Sequence, residues 1–316
     1  MEKNNPKVLN DFLNYLISVK GYSINTIQSY NSDLILFFRF IQMYMNIPIA
    51  IKEFNQFILL QVREADILAF LVNCNYSKDN NPYTRQRKLT AIRSFYRWLL
   101  PSFRGGINKK NPADNIKNIK KIVRLPKYLS LEEAKKIQRI YTKENSRYPL
   151  RNNLIISLFL STGIRLSELI NINIKDINFE NSSINIIGKN NKERIVYYNE
   201  YCKKQLNLYL RNRNAKSTDP LFISNQNKRI NKVTVKDICE NAFKLLNLAD
   251  KNYTPHTLRH TAATIIYSRN ADILLLKSFL GHESIKSTEI YTHLCSKQIK
   301  EAVERNPLSN FIINKR

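Results

Sequence analysis

DINFENSSINIIGKNNKERIVYYN, residues 176–199, breaks the pattern of the rest of this 316-residue chain. Its Ile, Val and Tyr residues alternate with polar ones between Asn-rich breaks, as in short strands with one buried face. The spacing predicts three antiparallel strands, at about 176–180, 183–187 and 193–198, with a polar turn around GKNNK before the third. On both sides apolar residues recur at three and four, the period of amphipathic helices. Behind the strands this predicts helices at about 200–212, 233–246, 256–268, 272–280, 287–294 and 297–305. Ahead of them a helix opens at SLEE, where Ser130 can cap and Glu133 can reach back, and runs to about 141. A second is expected from about 153 straight through TGIRLSELI. The fold class is therefore mainly α with a small antiparallel β-sheet (α+β).

The first part of the chain predicts an all-helical domain, with helices at about 8–19, 25–45, 64–75 and 84–100, punctuated by Gly21 and Pro82. Trp98 and Phe95 read as its core. RGGINKKNPADNIKNIKKIVRLPKYLS, residues 104–130, has two glycines, two prolines, many lysines and weak periodicity, and reads as the interdomain passage. The expected division is a helical domain at 1–113, a linker at 114–127 and a second domain at 128–316.

The formal net charge is +26, from 51 Lys+Arg against 25 Asp+Glu. Residues 1–124 carry 19 basic and 8 acidic side chains and the remainder 32 and 17, so both halves are basic. A bias toward Lys codons would raise Glu as well. Two basic bodies on one polyanion, nucleic acid, explain the imbalance better. The helix at 84–100 carries Arg85, Arg87, Lys88, Arg93 and Arg97, the candidate DNA contacts, which would grip phosphate rather than read bases. The four cysteines are scattered without a CxxC, which argues against a zinc site or a disulfide framework. There is neither a signal-peptide pattern nor an apolar run long enough to span a bilayer, so a cytoplasmic protein is expected.

The scarce residues point to chemistry. Three of the six glycines, Gly163, Gly188 and Gly281, stand in polar turns beside Arg165, Lys189 and His282. Helix C-caps alone could explain Gly163 and Gly281. All four histidines lie in the last fifth of the chain, and His282 precedes Tyr291 by nine residues. In PHTLRHTAATII, His256 and Arg259 share a helix face, with His260 on part of it. A zinc protease would need Glu after the first His, and Thr257 stands there. No metal or other cofactor is expected. Arg165, Lys189, His256, Arg259 and His282 are all cationic or proton-carrying, a set suited to metal-free phosphodiester chemistry, with two guanidiniums to neutralise phosphate oxygens. Glu168, about one turn beyond Arg165, either orients it or lies on the surface.

TGIRLSEL, GKNNKER, HTLRHTAAT, LGHESI and IYTH, in this order, resemble the tyrosine recombinase (phage integrase) family, and the Xer recombinases within it. TIQSYNSDLILFFRF and KLTAIRSFYRWLL resemble its helical, SAM-like core-binding domain. NPA followed by LPKYLS resembles the passage into its catalytic domain, so the likeness covers nearly the whole chain. Asn152 and Asn153 depart from the acidic residue frequent there, and the spacer AIKEFNQFILLQ is somewhat long for a Xer protein.

The resemblance implies two domains closing as a C-shaped clamp on double-stranded DNA at a specific site. It also implies strand exchange through a 3′-phosphotyrosyl link and a Holliday junction, without metal or ATP. The setting would be chromosome-dimer resolution or movement of an integrated element. Arg165 and Arg259 would clamp the scissile phosphate and His282 would donate to it. Lys189 would protonate the departing 5′ oxygen, His256 would take the proton of the nucleophile, and Tyr291 would attack phosphorus. The family works as a tetramer, here a homo-tetramer or one shared with a second recombinase, and EAVERNPLSNFII at 301–313 would dock on a neighbouring subunit. The core-binding helices begin within about ten residues of the start, leaving no obvious arm-binding domain. His260 reads as a buried supporting histidine and His293 as incidental. A type IB topoisomerase-like nicking and closing enzyme, or a DNA-binding regulator of the same fold without catalysis, are the alternatives.

Overall fold

The computed structural model describes residues 5–76, 81–101, 110–120, 126–188, 192–213, 216–269, 271–282, 284–288 and 290–291. The chain divides into two compact units, Met1–Val123 and Arg124–Arg316.

The first unit is helical: α1 (Lys7–Ser18), α2 (Ile24–Tyr44), a 3-10 turn (Ile51–Glu53), α3 (Gln56–Leu59), α4 (Glu64–Tyr76) and α5 (Pro82–Leu99). Ser23 caps α2 by accepting from the Thr26 amide, and Asn81 caps α5 from the Thr84 amide, ahead of a Pro whose missing N–H is no loss at that position. Aromatic residues fill the centre. Phe12 of α1 meets Phe95 of α5 edge-on at 5.3 Å, and Phe37 of α2 meets Phe70 of α4 at 5.1 Å. Such geometry sets ring edges against ring faces and adds to the burial of each ring. Phe95 is fully buried and Trp98 packs beside it, half-buried, against Phe12. The long spacer noted in the sequence holds the 3-10 turn and α3, and the Leu59 carbonyl at its end accepts from the Tyr96 hydroxyl at 2.9 Å.

The second unit begins with α6 (Leu131–Ile137), where Ser130 and Glu133 form the expected capping box. α7 (Pro149–Thr162) is the central helix. Leu154, Ile155, Ile156, Leu158 and Phe159 are all buried, and so are the polar Ser157 and Thr162 between and after them, as suits a helix enclosed by neighbours. α9 (Glu200–Arg211) and α11 (Pro255–Tyr267) pack on it. The helix expected through TGIRLSELI is interrupted at Gly163, which has φ +58° and is the C-cap that the glycine's polar turn allowed, and the chain restarts as α8 (Leu166–Asn171). A left-handed glycine ends the hydrogen-bond ladder and turns the chain, so Arg165 stands at the start of a new helix.

Strands β1 (Ile177–Asn178), β2 (Ser183–Ile187) and β3 (Glu193–Tyr197) form an antiparallel sheet in sequence order. The first strand is shorter than its alternation suggested, since Asn173 and Asp176 cap a 3-10 turn just before it. Pairing of Ile184 with both Ile177 and Val196, and of Ile186 with Arg194, sets the inward face. Arg194 is thus a charged residue at an inward register position, beside β2 where that strand packs on α8. α10 (Lys232–Leu245) and α12 (Ile273–Leu280) complete the described helices. Asp272 caps α12 and Gly281, φ +60°, ends it. Of the helix expected at 287–294, the described part is a 3-10 turn, Ile285–Ser287, and the helix expected at 297–305 lies outside the described residues.

Candidate active site

Two glycine-terminated helix ends meet in the second unit. A Cβ on Gly163 would lie 2.7 Å from Cε1 of Phe279 and 3.3 Å from Cδ2 of Leu280, so the end of α7 and the end of α12 approach as closely as they do only because residue 163 is glycine. Helix C-termini leave carbonyls without partners and carry the negative end of the dipole. Arg259, on α11 and 6% exposed, bridges both ends: one Nη donates to the Gly163 carbonyl and the other to the Leu280 carbonyl at 2.6 Å. Arg165 donates to the Gly281 carbonyl at 3.0 Å. The two arginines thus share one pair of turns although they come from distant parts of the chain.

Glu168 holds the arrangement. It is 4% exposed and accepts from the Arg165 amide at 2.8 Å and from Arg165 Nη1 at 2.9 Å. Arg194 adds a bidentate contact at 2.7 and 2.9 Å. Burial opposes its ionisation, but the bonds from Arg194 and Arg165 outweigh it and hold the carboxyl below its ordinary range. Of the two readings of Glu168, orienting Arg165 is the one the geometry supports. Arg194 was missed in the sequence. The signal was there: in ERIVY it stands two residues before inward Val196, a charge facing the core. The amide of Gly188 closes the hairpin on the Lys192 carbonyl at 2.7 Å, and a Cβ there would lie 3.5 Å from Oε1 of Glu168. The residue that follows, Lys189, lies outside the described residues, as does His293.

The histidines gather round the arginines. His282 follows Gly281, and its Nδ1 lies 3.0 Å from Oγ1 of the fully buried Thr288. Burial first, then Arg259 and Arg165, push its pKa down to about 4. His256 is exposed by area, yet loss of hydration, then Arg259 and Arg165, lower its pKa below the ordinary value. Arg259 itself is pushed down to about 10 by burial and by Arg165. Burial is the largest cause in each case, and repulsion from the neighbouring arginines adds to it. An incoming anion would relieve that repulsion.

Tyr291 is 1% exposed, enclosed by Ala263, Tyr267, Leu276 and Leu280. Burial pushes its phenol up to about 12, against the pull of Arg259. Its hydroxyl lies 2.6 Å from Nδ1 of His260. The resemblance implied that His256 takes the proton of Tyr291; the histidine within hydrogen-bond distance of the hydroxyl is His260, one position round the helix from Arg259. Helical periodicity could not separate two histidines four residues apart, since both fall near the same face.

The basic helix α5 needs a correction. Lys88 is 6% exposed and paired at 3.0 Å with Asp33, itself 2% exposed, so it belongs to an internal ion pair and not to a DNA-facing surface. Arg87 is exposed but also donates to Asp33 and to the Ser29 carbonyl. Arg93 donates to the Ala113 carbonyl at 2.9 Å, to Oδ1 of Asn118 at 2.7 Å and to the Ile116 carbonyl, fastening the segment after α5 onto the helix. Arg85 is half-buried, with its Nε unpartnered among the described residues. Arg97 has a side chain 75% exposed and 3.9 Å from Asp114, and it is the most accessible of the five. Among the described residues no cluster of three or more His, Cys, Asp or Glu is placed to hold a metal ion, and no helix is long and apolar enough to cross a membrane.

Residues 127–298 match the phage integrase family, and residues 9–101 match the phage integrase N-terminal SAM-like domain. The tyrosine recombinase XerC of Caldanaerobacter subterraneus subsp. tengcongensis is 40% identical over 316 residues, covering 96% of this chain and 88% of that one. The tyrosine recombinase XerC of Thermodesulfovibrio yellowstonii is 33% identical over 312 residues, covering 95% and 96%. Among solved structures, that of XerA recombinase aligns over 95% of this chain and 99% of its own, with a TM-score of 0.51 at 28% identity. That of XerH site-specific recombinase bound to palindromic difH substrate aligns over 94% and 84%, with a TM-score of 0.72 at 22% identity, a likeness of fold.

Proposed function

The chain belongs to the phage integrase family, and from that premise we infer that it is a site-specific tyrosine recombinase, cutting and rejoining double-stranded DNA through a 3′-phosphotyrosyl intermediate and a Holliday junction. The helical unit grips the duplex and the second unit performs the chemistry. The observation that carries the assignment of residues is the convergence of Arg165, Arg259, His256 and His282 on two facing helix ends, with the Tyr291 hydroxyl beside them.

The roles follow from what phosphoryl transfer needs. A phosphodiester carries one negative charge, which becomes concentrated on the equatorial oxygens as a fifth oxygen approaches phosphorus. Arg165 and Arg259, already fixed by carbonyls and by Glu168, meet that charge without reorganising. His282, held by Thr288, donates to the same oxygens. His256 is exposed and stands within the field of Arg259 and Arg165, and we assign it a contact to the phosphate or its flanks. Tyr291 supplies the nucleophile. With a phenol pushed up to about 12, only about one molecule in 10⁵ is ionised at pH 7, so attack requires an acceptor for its proton. The 5′ oxygen leaves as an alkoxide and needs a proton in turn; we assign that role to Lys189. The bond to Tyr291 conserves the phosphodiester energy, and a 5′-hydroxyl can reseal it without ATP. Exchange between two sites requires four active sites, and we propose a tetramer of this chain, alone or with a second recombinase, acting in the cytoplasm.

Covalent trapping tests the reading. Nicked duplexes, selected from a random pool by binding to the protein, are incubated with it in EDTA without ATP and run on a denaturing gel. A protein–DNA adduct formed by the wild type and absent from Tyr291→Phe is expected. Tight, site-specific binding with no adduct would turn the reading toward a DNA-binding regulator.

A further inference from the structure

We propose that His260 is a further catalytic residue, the group that accepts the phenol proton of Tyr291 during cleavage and returns it during rejoining. The inference rests on Tyr291 being the nucleophile.

The geometry comes first. His260 Nδ1 and the Tyr291 hydroxyl are 2.6 Å apart, a short hydrogen bond between residues 31 positions apart in sequence, with the rings 5.8 Å between centroids. The distance is what proton transfer requires. The phenol is otherwise enclosed by apolar side chains. His260 sits on α11 directly after Arg259, whose two carbonyl contacts pin that turn of the helix. The acceptor is therefore held at a fixed distance from the group that binds the phosphate.

The protonation states agree with the direction of transfer. Burial, then His256 and Arg259, push the His260 pKa down to about 4, so the ring is neutral near pH 7 and one nitrogen carries a free lone pair. The phenol, pushed up to about 12, is protonated. The phenol then donates to Nδ1, and Nε2 carries the ring proton. In this resting state transfer is uphill. A phosphodiester bound between the arginines narrows the gap: its charge offsets the share of the shift that comes from Arg259 and His256, beside the larger share from burial, while the forming bond to phosphorus makes the phenol proton acidic. The anion that is to be attacked thus favours the imidazolium that its attack creates.

The step balances. A lone pair on the Tyr291 hydroxyl oxygen forms the bond to phosphorus, and the hydroxyl proton passes to Nδ1 of His260. The bond from phosphorus to the 5′ oxygen breaks, and that oxygen takes a proton from the acid assigned to Lys189. In rejoining, the 5′-hydroxyl gives its proton back to the group assigned to Lys189 as its oxygen bonds to phosphorus, the bond from phosphorus to Tyr291 breaks, and His260 returns its proton to the departing phenolate.

The test uses the full chain and the selected nicked duplexes described above, in single-turnover adduct formation. Two variants remove the proton acceptor: His260→Ala, and His260→Asn, whose amide can occupy the Nδ1 position without taking a proton. Both are expected to bind DNA as the wild type does and to form adduct about 100-fold more slowly, the low end for loss of a positioned base. Added imidazole should restore part of the rate in His260→Ala, in proportion to its neutral form. Replacing Tyr291 with a fluorinated tyrosine of lower phenol pKa should shrink the penalty in both variants, a response that a packing defect would not give. Adduct formation within threefold of wild type, or faster than it, would overturn the proposal, the second result making His260 a latch on the resting tyrosine. A loss unmoved by imidazole and by fluorination would equally overturn it. Wild-type protein that forms no adduct with any selected duplex would remove the nucleophile itself and the proposal with it.

Discussion

Glu168→Gln tests whether the site is built around one buried carboxylate. The substitution keeps the shape of the side chain and removes its charge. Each carboxylate oxygen accepts two of the four hydrogen bonds, one from Arg165 and one from Arg194. Whichever oxygen becomes the amide nitrogen, two donors then face a donor, and both guanidiniums lose their counter-charge. A hydrogen bond to a charged group contributes about 1.5–3 kcal/mol. Arg194 has a side chain 18% exposed and counts nearly in full, whereas that of Arg165 is 32% exposed and its share is reduced by solvent. The expected loss is about 3 kcal/mol, at the low end for breaking a buried pair. The single tryptophan, Trp98, lies in the first unit, so fluorescence would report the wrong transition. Urea unfolding followed by far-ultraviolet circular dichroism reads both units. A double-mutant cycle with Arg194→Met should give a coupling of about 1–3 kcal/mol, since the two residues act through one contact. A change below about 0.5 kcal/mol for Glu168→Gln, or strict additivity in the cycle, would refute the argument that this carboxylate organises the arginines.

Gly281→Ala should destabilise the second unit by about 2–3 kcal/mol, combining the left-handed backbone cost with a Cβ that would fall 2.7 Å from Nε of Arg194; the same urea titration checks it. His260 and His282 both have pKa values pushed down to about 4 from 6.5. Their stabilisation of the fold is complete above pH 6.5 and is lost as pH falls toward 4, because the unfolded chain takes up protons that the folded one excludes. The urea midpoint of the second unit should fall between pH 6.5 and 4, and less steeply in His260→Asn. Lys88→Met should cost about 2 kcal/mol, less than a fully broken buried pair because Arg87 still faces Asp33, and should leave the salt dependence of DNA binding unchanged. Arg97→Gln should do the reverse: stability within about 0.5 kcal/mol of wild type, and a slope of log binding constant against log salt smaller by about 1, the signature of one lost phosphate contact.

Much of the architecture was legible because helices and strands write their period into the residues that build them. The alternation at 176–199 yielded β2 at its observed bounds and β3 within one residue, and SLEE marked the start of α6 by its own capping box. The break in the chain at Gly163 was harder to read. TGIRLSELI keeps a helical spacing of apolar residues on both sides, so a C-cap at Gly163 was one local option, and the close approach of Phe279 and Leu280, more than a hundred residues on, could not be read from it. The same holds for the basic helix α5. Five positive residues look alike on paper, but Asp33 and the carbonyls at 113 and 116 draw two of them inward.

By itself, then, the sequence determined the elements, the basic character of both halves and the kinds of group available for chemistry, since period, capping and charge are properties of neighbouring residues. The order of TGIR, GKNNKER, HTLRH and LGH was enough to suggest the family. Which groups touch was decided only by the tertiary structure. Arg165 reaches Gly281 across 116 positions, Arg259 reaches Gly163 across 96, and Tyr291 reaches His260 across 31. Hydrogen bonds and charge act over a few ångströms in space, and no local pattern records which distant helix ends the core will bring within that range.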